Sequence, residues 1–144
     1  EAIAAFEKVL KLSPNDSDAL ANLGFLAYER GQNENAETLL RQSLKADSKN
    51  FGAYYDLGRV LIRLKRVNEA LPILEKGVAI NPLDPGIRYQ LFLVYSRLKQ
   101  KDKADANFAE FKRLEKLVER TGAAASGNDK TGNIPNTPEQ IKKP

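Results

Sequence analysis

The sequence predicts an all-α solenoid, because one helical unit recurs along it at an interval of 34 residues. Alanine occupies four positions separated by this interval: Ala2, Ala36, Ala70 and Ala104. A Leu-Gly pair repeats in the same way, at Leu23-Gly24 and Leu57-Gly58. In repeat proteins each unit buries its apolar face only against its neighbours, so we expect the core to run along the whole array.

The repeat divides the chain into five segments. They are the second helix of an incomplete unit (1–16), two complete units (17–50 and 51–84), a terminal unit with an extended last helix (85–121) and a tail rich in Gly, Ser, Asn and Pro (122–144). Because Glu1 falls inside a helical pattern, we expect the chain to be part of a longer protein.

The first helix is predicted over residues 1–12, where apolar side chains recur every three or four residues. Ser13-Pro14 ends it, because proline disfavours the helical conformation in the residue before it. Three residues with side-chain oxygens then offer an N-cap for the next helix: Asn15, Asp16 and Ser17.

Each complete unit is predicted to be two helices joined by a tight turn, at 17–30 and 34–45 and again at 51–64 and 68–80. Gly31 ends the first helix of the earlier pair, because glycine accepts a positive φ. The later pair has Lys65-Arg66 at this turn, which should therefore hold a strained residue. Pro72 is expected in the first turn of its helix, where a missing N–H is harmless.

The third unit departs from the pattern at its core positions. Phe92 replaces the repeated glycine, and Arg88 replaces an apolar residue. Phe111 stands where the earlier units carry Ser43 and Gly77. An atypical outer unit is a property of solenoid ends. Its two helices are predicted near 85–98 and 102–120.

The tail from residue 122 is too poor in apolar residues to offset the entropy of ordering it. We hypothesise that it lies as an extended peptide on a groove, either its own or that of a neighbouring copy. The tail and residues 1–12 are thus the two candidate routes to a homo-oligomer.

The composition argues against catalysis. The chain has no histidine and no cysteine, which removes the commonest general acid or base, the thiol nucleophile and the commonest metal ligands. The sequence has no glycine-rich phosphate loop, and capping explains the acidic residues at predicted helix ends: Asp47, Asp84 and Asp102. We therefore predict a protein that is not an enzyme and uses no cofactor or metal.

The formal net charge of +4 comes from mixed charges spread along the helices. We expect no nucleic-acid binding, because nucleic-acid-binding proteins usually carry a concentrated basic face. No apolar run reaches the length of a membrane span. The sequence leaves the compartment open; a soluble protein is expected, in the cytoplasm rather than in the periplasm or outside the cell.

These residues resemble the tetratricopeptide repeat family, whose units also contain about 34 residues. The match covers about residues 1–118 and rests on three sets of residues: Ala2, Phe6 and Pro14 of the incomplete unit, then Leu20, Leu23, Gly24, Ala36 and Leu40, then Tyr54, Leu57, Gly58, Ala70, Leu74 and Pro82. The small residues let paired helices approach closely. The resemblance implies a right-handed superhelix whose concave face, lined mainly by the first helix of each unit, holds peptides.

The family's groove positions, carried over to this sequence, give a set rich in tyrosine and arginine, the residue types that most often carry interface energy. The candidate contact residues are Phe25, Tyr28, Tyr55, Arg59, Ile62, Arg63, Tyr89, Leu93 and Arg97. For Phe25, Tyr28 and Leu93, packing between units is an equally open role. The remaining positions of the set are Asp18, Ala21, Glu29, Gly52, Gly86 and Ser96.

One subclass of the family grips the C-terminal carboxylates of a peptide with a clamp of Lys, Asn and Arg. That clamp is absent here, since the matching positions are Ala21, Phe25, Asp56, Gly86 and Gln90. We expect instead a ligand with an apolar or aromatic anchor and an acidic residue near Arg59 or Arg63.

The sequence therefore predicts a non-catalytic scaffold that binds a peptide-like segment of a partner protein in the groove. One alternative is self-association or oligomer assembly through the open N-terminal edge, where Ile3, Phe6 and Leu10 would be partly uncovered. Another is a role as the accessory module of a larger enzyme.

Overall fold

The computed structural model describes residues 1–128, which form an all-α helical repeat solenoid and confirm the predicted fold class. Its seven helices are α1 (Ala2–Leu12), α2 (Ser17–Glu29), α3 (Asn33–Ala46), α4 (Phe51–Arg63), α5 (Val67–Ile80), α6 (Pro85–Arg97) and α7 (Lys101–Asn128).

The helix bounds agree with the sequence prediction to one residue, except at the end of α7. This helix continues to Asn128, through the first residues of the predicted tail. The hypothesis that the tail lies as an extended peptide on a groove concerns residues 129–144 for the most part, which are outside the described residues.

The helices pack as antiparallel pairs along the chain. Helix α2 packs on α3, α4 on α5 and α6 on α7, while α3–α4 and α5–α6 contacts join successive units. The first helices of the units also touch each other, α2 against α4 and α4 against α6. Helices α2, α4 and α6 therefore lie side by side and present one shared face.

Glycine sets the spacing within the two complete units. A Cβ built on Gly24 would lie 2.7 Å from Leu40 Cγ, and one built on Gly58 would lie 2.7 Å from Leu74 Cγ. Both leucines are fully buried. In the third unit two aromatic rings take these places, Phe92 and Phe108, with ring centres 4.9 Å apart.

The helix caps repeat at the same interval as the core. The side chains of Asp16, Asn50 and Asp84 accept hydrogen bonds from the main-chain N–H three residues later, at 2.9, 3.2 and 3.0 Å respectively. Each cap satisfies one of the N–H groups that a helix start leaves without an intrahelical partner.

The turns inside the units have positive φ at one residue each. These values are 76° at Gly31, 63° at Lys65 and 59° at Lys99. The strained residue predicted for the Lys65-Arg66 turn is therefore confirmed, and it is Lys65. The expectation for Pro72 was wrong, because this residue lies in the interior of α5, where its exposed ring removes a main-chain donor from the helix.

Candidate functional site

The predicted contact residues all lie on α2, α4 and α6, and we call the surface that they share the groove face. The structure brings five of them together in one cluster, which we call the Arg59 cluster: Phe25, Tyr28, Tyr55, Arg59 and Arg63. The other four belong to α4 and α6 but are not part of this cluster: Ile62, Tyr89, Leu93 and Arg97.

The guanidinium of Arg59 is the centre of the cluster. Its Cζ lies 4.4 Å from the ring centre of Tyr28, 5.1 Å from that of Tyr55 and 5.8 Å from that of Phe25. At these distances the negative faces of the rings attract the cation. Because Phe25 and Tyr28 belong to α2 while Tyr55 and Arg59 belong to α4, the cluster joins two successive units.

Asp56 is the charged partner of Arg59, with 3.7 Å between Oδ1 and the arginine Nε. That distance is too long for a hydrogen bond. The buried Nε of Arg59 accordingly has no hydrogen-bond partner within the described residues. Burial raises the pKa of the Asp56 carboxyl to about 6; the charge of Arg59 opposes this change and that of Glu29 adds to it.

This ion pair was not predicted from the sequence, where Asp56 was only a position that lacks a clamp residue. The spacing of three residues to Arg59 is the signal that could have found it. Residues three apart lie next to each other on one side of a helix, where opposite charges attract.

Arg63 and Arg97 tie each first helix to the one before it. Arg63 Nη1 donates to the main-chain carbonyl of Tyr28 at 2.7 Å and to Asn33 Oδ1 at 3.2 Å. Arg97 Nη1 donates to the carbonyl of Ile62 at 3.2 Å. The guanidinium of Arg63 also lies 3.6 Å from the ring centre of Tyr28. These bonds, which were not predicted from the sequence, position both arginines at the edge of the groove face.

The remaining groove residues differ in how much surface they offer. Ile62 is only 7% exposed and packs in the core. Tyr89 is 36% exposed and leans on Phe92 and Phe111, with ring centres 5.7 and 5.2 Å away. Leu93 is half-buried. Tyr89 and Leu93 therefore provide the apolar surface of α6.

Tyr55 connects the cluster to the third unit. A Cβ built on Gly86, at the start of α6, would lie 3.1 Å from the Tyr55 hydroxyl oxygen. The tyrosine side chain therefore rests against the backbone of α6, and a side chain at position 86 would displace it. The groove face is thus continuous from α2 through α4 to α6.

The part of the chain that the structure describes lacks both a metal site and a membrane span. It contains no group of acidic side chains that could hold a metal ion. Among the described helices, none combines the length and the apolar composition of a membrane span. What the groove face does offer is arginine N–H donors, aromatic rings and aliphatic surface, which can contact carboxylates, main-chain carbonyls and apolar side chains.

Comparison with known proteins gives a family match and several relatives. The family model described as "Tetratricopeptide repeat" matches residues 1–57 and 27–85. The small glutamine-rich tetratricopeptide repeat-containing protein 2 of Mycosarcoma maydis is 30% identical over 108 residues, which are 75% of this chain and 31% of that protein. The CTR9 homolog of Arabidopsis thaliana is 28% identical over 142 residues, covering 88% of this chain and 13% of that protein.

The chain thus spans less than a third of the length of these two relatives. Among solved structures, a crystal structure of MamA is similar with a TM-score of 0.73 and 26% sequence identity, over 87% of this chain and 75% of the MamA chain. The match to the repeat model covers more than half of the sequence, and the described helices follow the same repeat. This chain therefore belongs to the tetratricopeptide repeat family.

Proposed function

We propose that this chain is a protein-interaction scaffold that holds an extended segment of a partner protein against the groove face. The Arg59 cluster is the observation that carries the proposal. Rings from two units fix a single guanidinium whose side chain is still 20% exposed. A contact surface that is ordered before the ligand arrives loses little entropy on binding, which favours affinity.

The chemistry of this surface suits a ligand with an apolar or aromatic anchor and at least one carboxylate. Tyr55, Tyr89 and Leu93 provide the surface for the anchor. Arg59 and Arg63 provide planar guanidinium groups, which bind carboxylates through paired N–H donors. Ile62 is excluded from this contact set because its side chain belongs to the core.

Selection from a random 12-residue peptide library displayed on phage, with the whole chain immobilised, tests the proposal. Calorimetry then compares the selected peptides on the wild type, Tyr55→Ala and Arg59→Ala. We expect either substitution to weaken binding by about tenfold or more, as for a central interface residue. The matched control is Arg113→Ala, which removes an exposed arginine of α7 that pairs with Glu110.

Two results would contradict the proposal. One is a selection that yields no peptide with measurable affinity for the wild type. The other is a set of peptides whose affinity is the same for Tyr55→Ala and Arg59→Ala as for the Arg113→Ala control.

The N-terminal edge supports a second candidate function, self-association. Ala36, Leu40 and Ser43 of α3 are fully buried against α2 and its neighbours. Their counterparts one interval earlier are more open: Ala2 is exposed, Phe6 is half-buried and Val9 is 39% exposed. A cleft of about 360 Å³ opens beside this face, lined by residues that include Ile3, Leu23 and Leu39.

Light scattering over a dilution series tests this second candidate. If α1 mediates self-association, Phe6→Asp should lower the average mass at high concentration. Leu12→Asp is the control, because Leu12 is 85% exposed and lies at the end of the same helix. A wild-type chain that stays monomeric over the whole series would contradict self-association.

A further inference from the structure

We propose that the groove face recognises charge along its ligand at one position per unit, through Glu29, Arg63 and Arg97. We call these three residues the charge ladder. The inference rests on the function proposed above and specifies the ligand. The ligand that we infer is an extended segment with one basic and two acidic side chains at three-residue intervals.

The charge ladder occupies one position of the repeat. Glu29, Arg63 and Arg97 are the last residues of α2, α4 and α6, and successive members are 34 residues apart. All three residues are exposed. None of them forms a salt bridge within the described part of the chain, so their charges are available to a ligand.

The two arginines are held in position without using up their donors. Each donates from Nη1 to a main-chain carbonyl of the preceding first helix. A guanidinium has five N–H donors, so Nε and Nη2 remain for a carboxylate. The carbonyl bonds also stop the long side chains from moving freely, which lowers the entropy that a ligand must remove on binding.

Glu29 has the opposite charge to the one that its helix end favours. The carboxyl end of a helix carries partial negative charge, so an acidic residue there is unfavourable, whereas arginine is favourable. Arg63 and Arg97 follow this preference at the ends of α4 and α6, and Glu29 at the end of α2 opposes it. A ligand group of positive charge would compensate this residue.

The spacing of the units fits an extended ligand. Packed helices lie about 8–10 Å apart, and α2 touches α4 as α4 touches α6. A peptide in the polyproline II conformation advances about 9.3 Å in three residues, and every third side chain points in the same direction. The guanidinium groups of Arg63 and Arg97 each bind the preceding first helix, so they are one unit spacing apart and match two acidic side chains three residues apart. The basic side chain of the segment would face Glu29 at the end of α2.

The other charged pair of the groove face does not compete with the charge ladder. Asp56 and Arg59 face each other, and their side chains are only 14% and 20% exposed. Their opposite charges partly offset one another. At the last positions of α2, α4 and α6 a ligand therefore meets one negative and two positive charges.

Synthetic versions of the tightest library peptide test the inference. In the first set a lysine and two glutamates stand at intervals of three residues, with the lysine either first or last in the peptide. In the other sets the same three residues stand at intervals of two or of four residues. We expect the better direction of the three-residue set to bind about tenfold tighter than the other spacings. The Arg97→Glu variant should bind the best peptide about tenfold more weakly than the wild type does. Its affinity should return when the glutamate of the peptide that faces position 97 is changed to lysine.

Lys76→Glu is the matched control, because Lys76 is an exposed residue of α5 and the substitution changes the net charge equally. Restored binding by the lysine peptide cannot come from misfolding of Arg97→Glu. Peptides that need Tyr55 but bind equally at every spacing would overturn the charge ladder and leave the proposed function intact. If Tyr55→Ala leaves the affinity of every peptide unchanged, the proposed function is wrong, and so is the charge ladder that rests on it.

Discussion

Gly58 of α4 lies directly against Leu74 of α5, so close that a Cβ on the glycine would be 2.7 Å from the leucine Cγ. Leu74 is fully buried, so it cannot move aside without disturbing the core. The same contact joins Gly24 and Leu40 one unit earlier. It therefore sets the distance between the paired helices of both complete units.

We predict that Gly58→Ala lowers the free energy of unfolding by about 1–3 kcal/mol, because the added methyl group overpacks the core. Gly52→Ala in the same helix is the control, since its Cβ would meet only Asn50 Oδ1 at 3.6 Å. There the gain in helix propensity should raise stability by up to about 1 kcal/mol. Urea unfolding followed by circular dichroism measures both, and equal stability of the two variants would contradict the close contact.

The turn at Lys65 yields the second prediction. Lys65 has φ of 63°, a conformation that costs a residue with a side chain about 1–2 kcal/mol. Lys65→Gly should therefore raise the free energy of unfolding by about 0.5–1 kcal/mol after the greater chain entropy of glycine is subtracted. Lys76→Gly, inside α5, should instead lower it by about 1 kcal/mol. If both substitutions change the urea midpoint in the same direction, the strain at Lys65 is not significant.

The sequence could predict this strained turn because the repeat supplied a comparison. Gly31 occupies the same position one unit earlier, and the chain has to turn there in the same way. The core positions could be predicted for the same reason, since the buried Ala36 and Ala70 are one interval apart. A periodic sequence thus gives the location of each residue type in the unit.

The repeat could not predict how side chains of neighbouring units meet. Its pattern placed Tyr28 and Arg59 on the same face, but the ring and the guanidinium meet only because of the distance between α2 and α4 and the rotamers that both side chains adopt. The bond from Arg63 to the carbonyl of Tyr28 left no signal either. Every residue has a carbonyl, so its acceptor role does not depend on residue type.

An ion-pair network between units yields the third prediction. Arg66 donates from Nη1 and Nη2 to the two carboxylate oxygens of Glu37, at 2.8 and 3.0 Å. The hydrogen bonds from Arg66, together with the weaker contribution from Arg41, outweigh the effect of burial and lower the pKa of Glu37. Glu37→Gln should therefore lower the free energy of unfolding by about 1 kcal/mol at neutral pH.

The pH dependence of this effect has a definite sign. The carboxyl of Glu37 binds a proton more weakly in the folded than in the unfolded state, so its contribution is complete above the ordinary glutamate pKa and is lost as the pH falls. The stability difference between Glu37→Gln and wild type should thus shrink in acid. Glu119→Gln, at an exposed position of α7, is the control and should change stability little at either pH. A constant difference down to strongly acidic pH would contradict the network.

Asp56 yields the fourth prediction, with the opposite sign. Burial raises its pKa from 3.8 to about 6, so the folded state binds a proton that the unfolded state has already lost. The carboxyl therefore costs stability as the pH rises through this interval. We expect Asp56→Asn to become more stable relative to wild type by about 2 kcal/mol between pH 4 and pH 7. Urea unfolding at both pH values measures the change, and an unchanged difference would show that Asp56 ionises normally.

The same carboxyl should make ligand binding depend on pH. As the pH falls through about 6 Asp56 becomes mostly protonated, so it offsets less of the charge of Arg59, which lies 3.7 Å away. An acidic peptide should then bind several-fold more tightly at pH 5.5 than at pH 7.5, since its own carboxylates remain ionised there. Asp56→Asn should bind with the higher affinity at both pH values, because its side chain is always neutral. If calorimetry shows the same pH dependence for Asp56→Asn as for wild type, the dependence comes from another group, and Asp56 does not regulate the charge of the groove face.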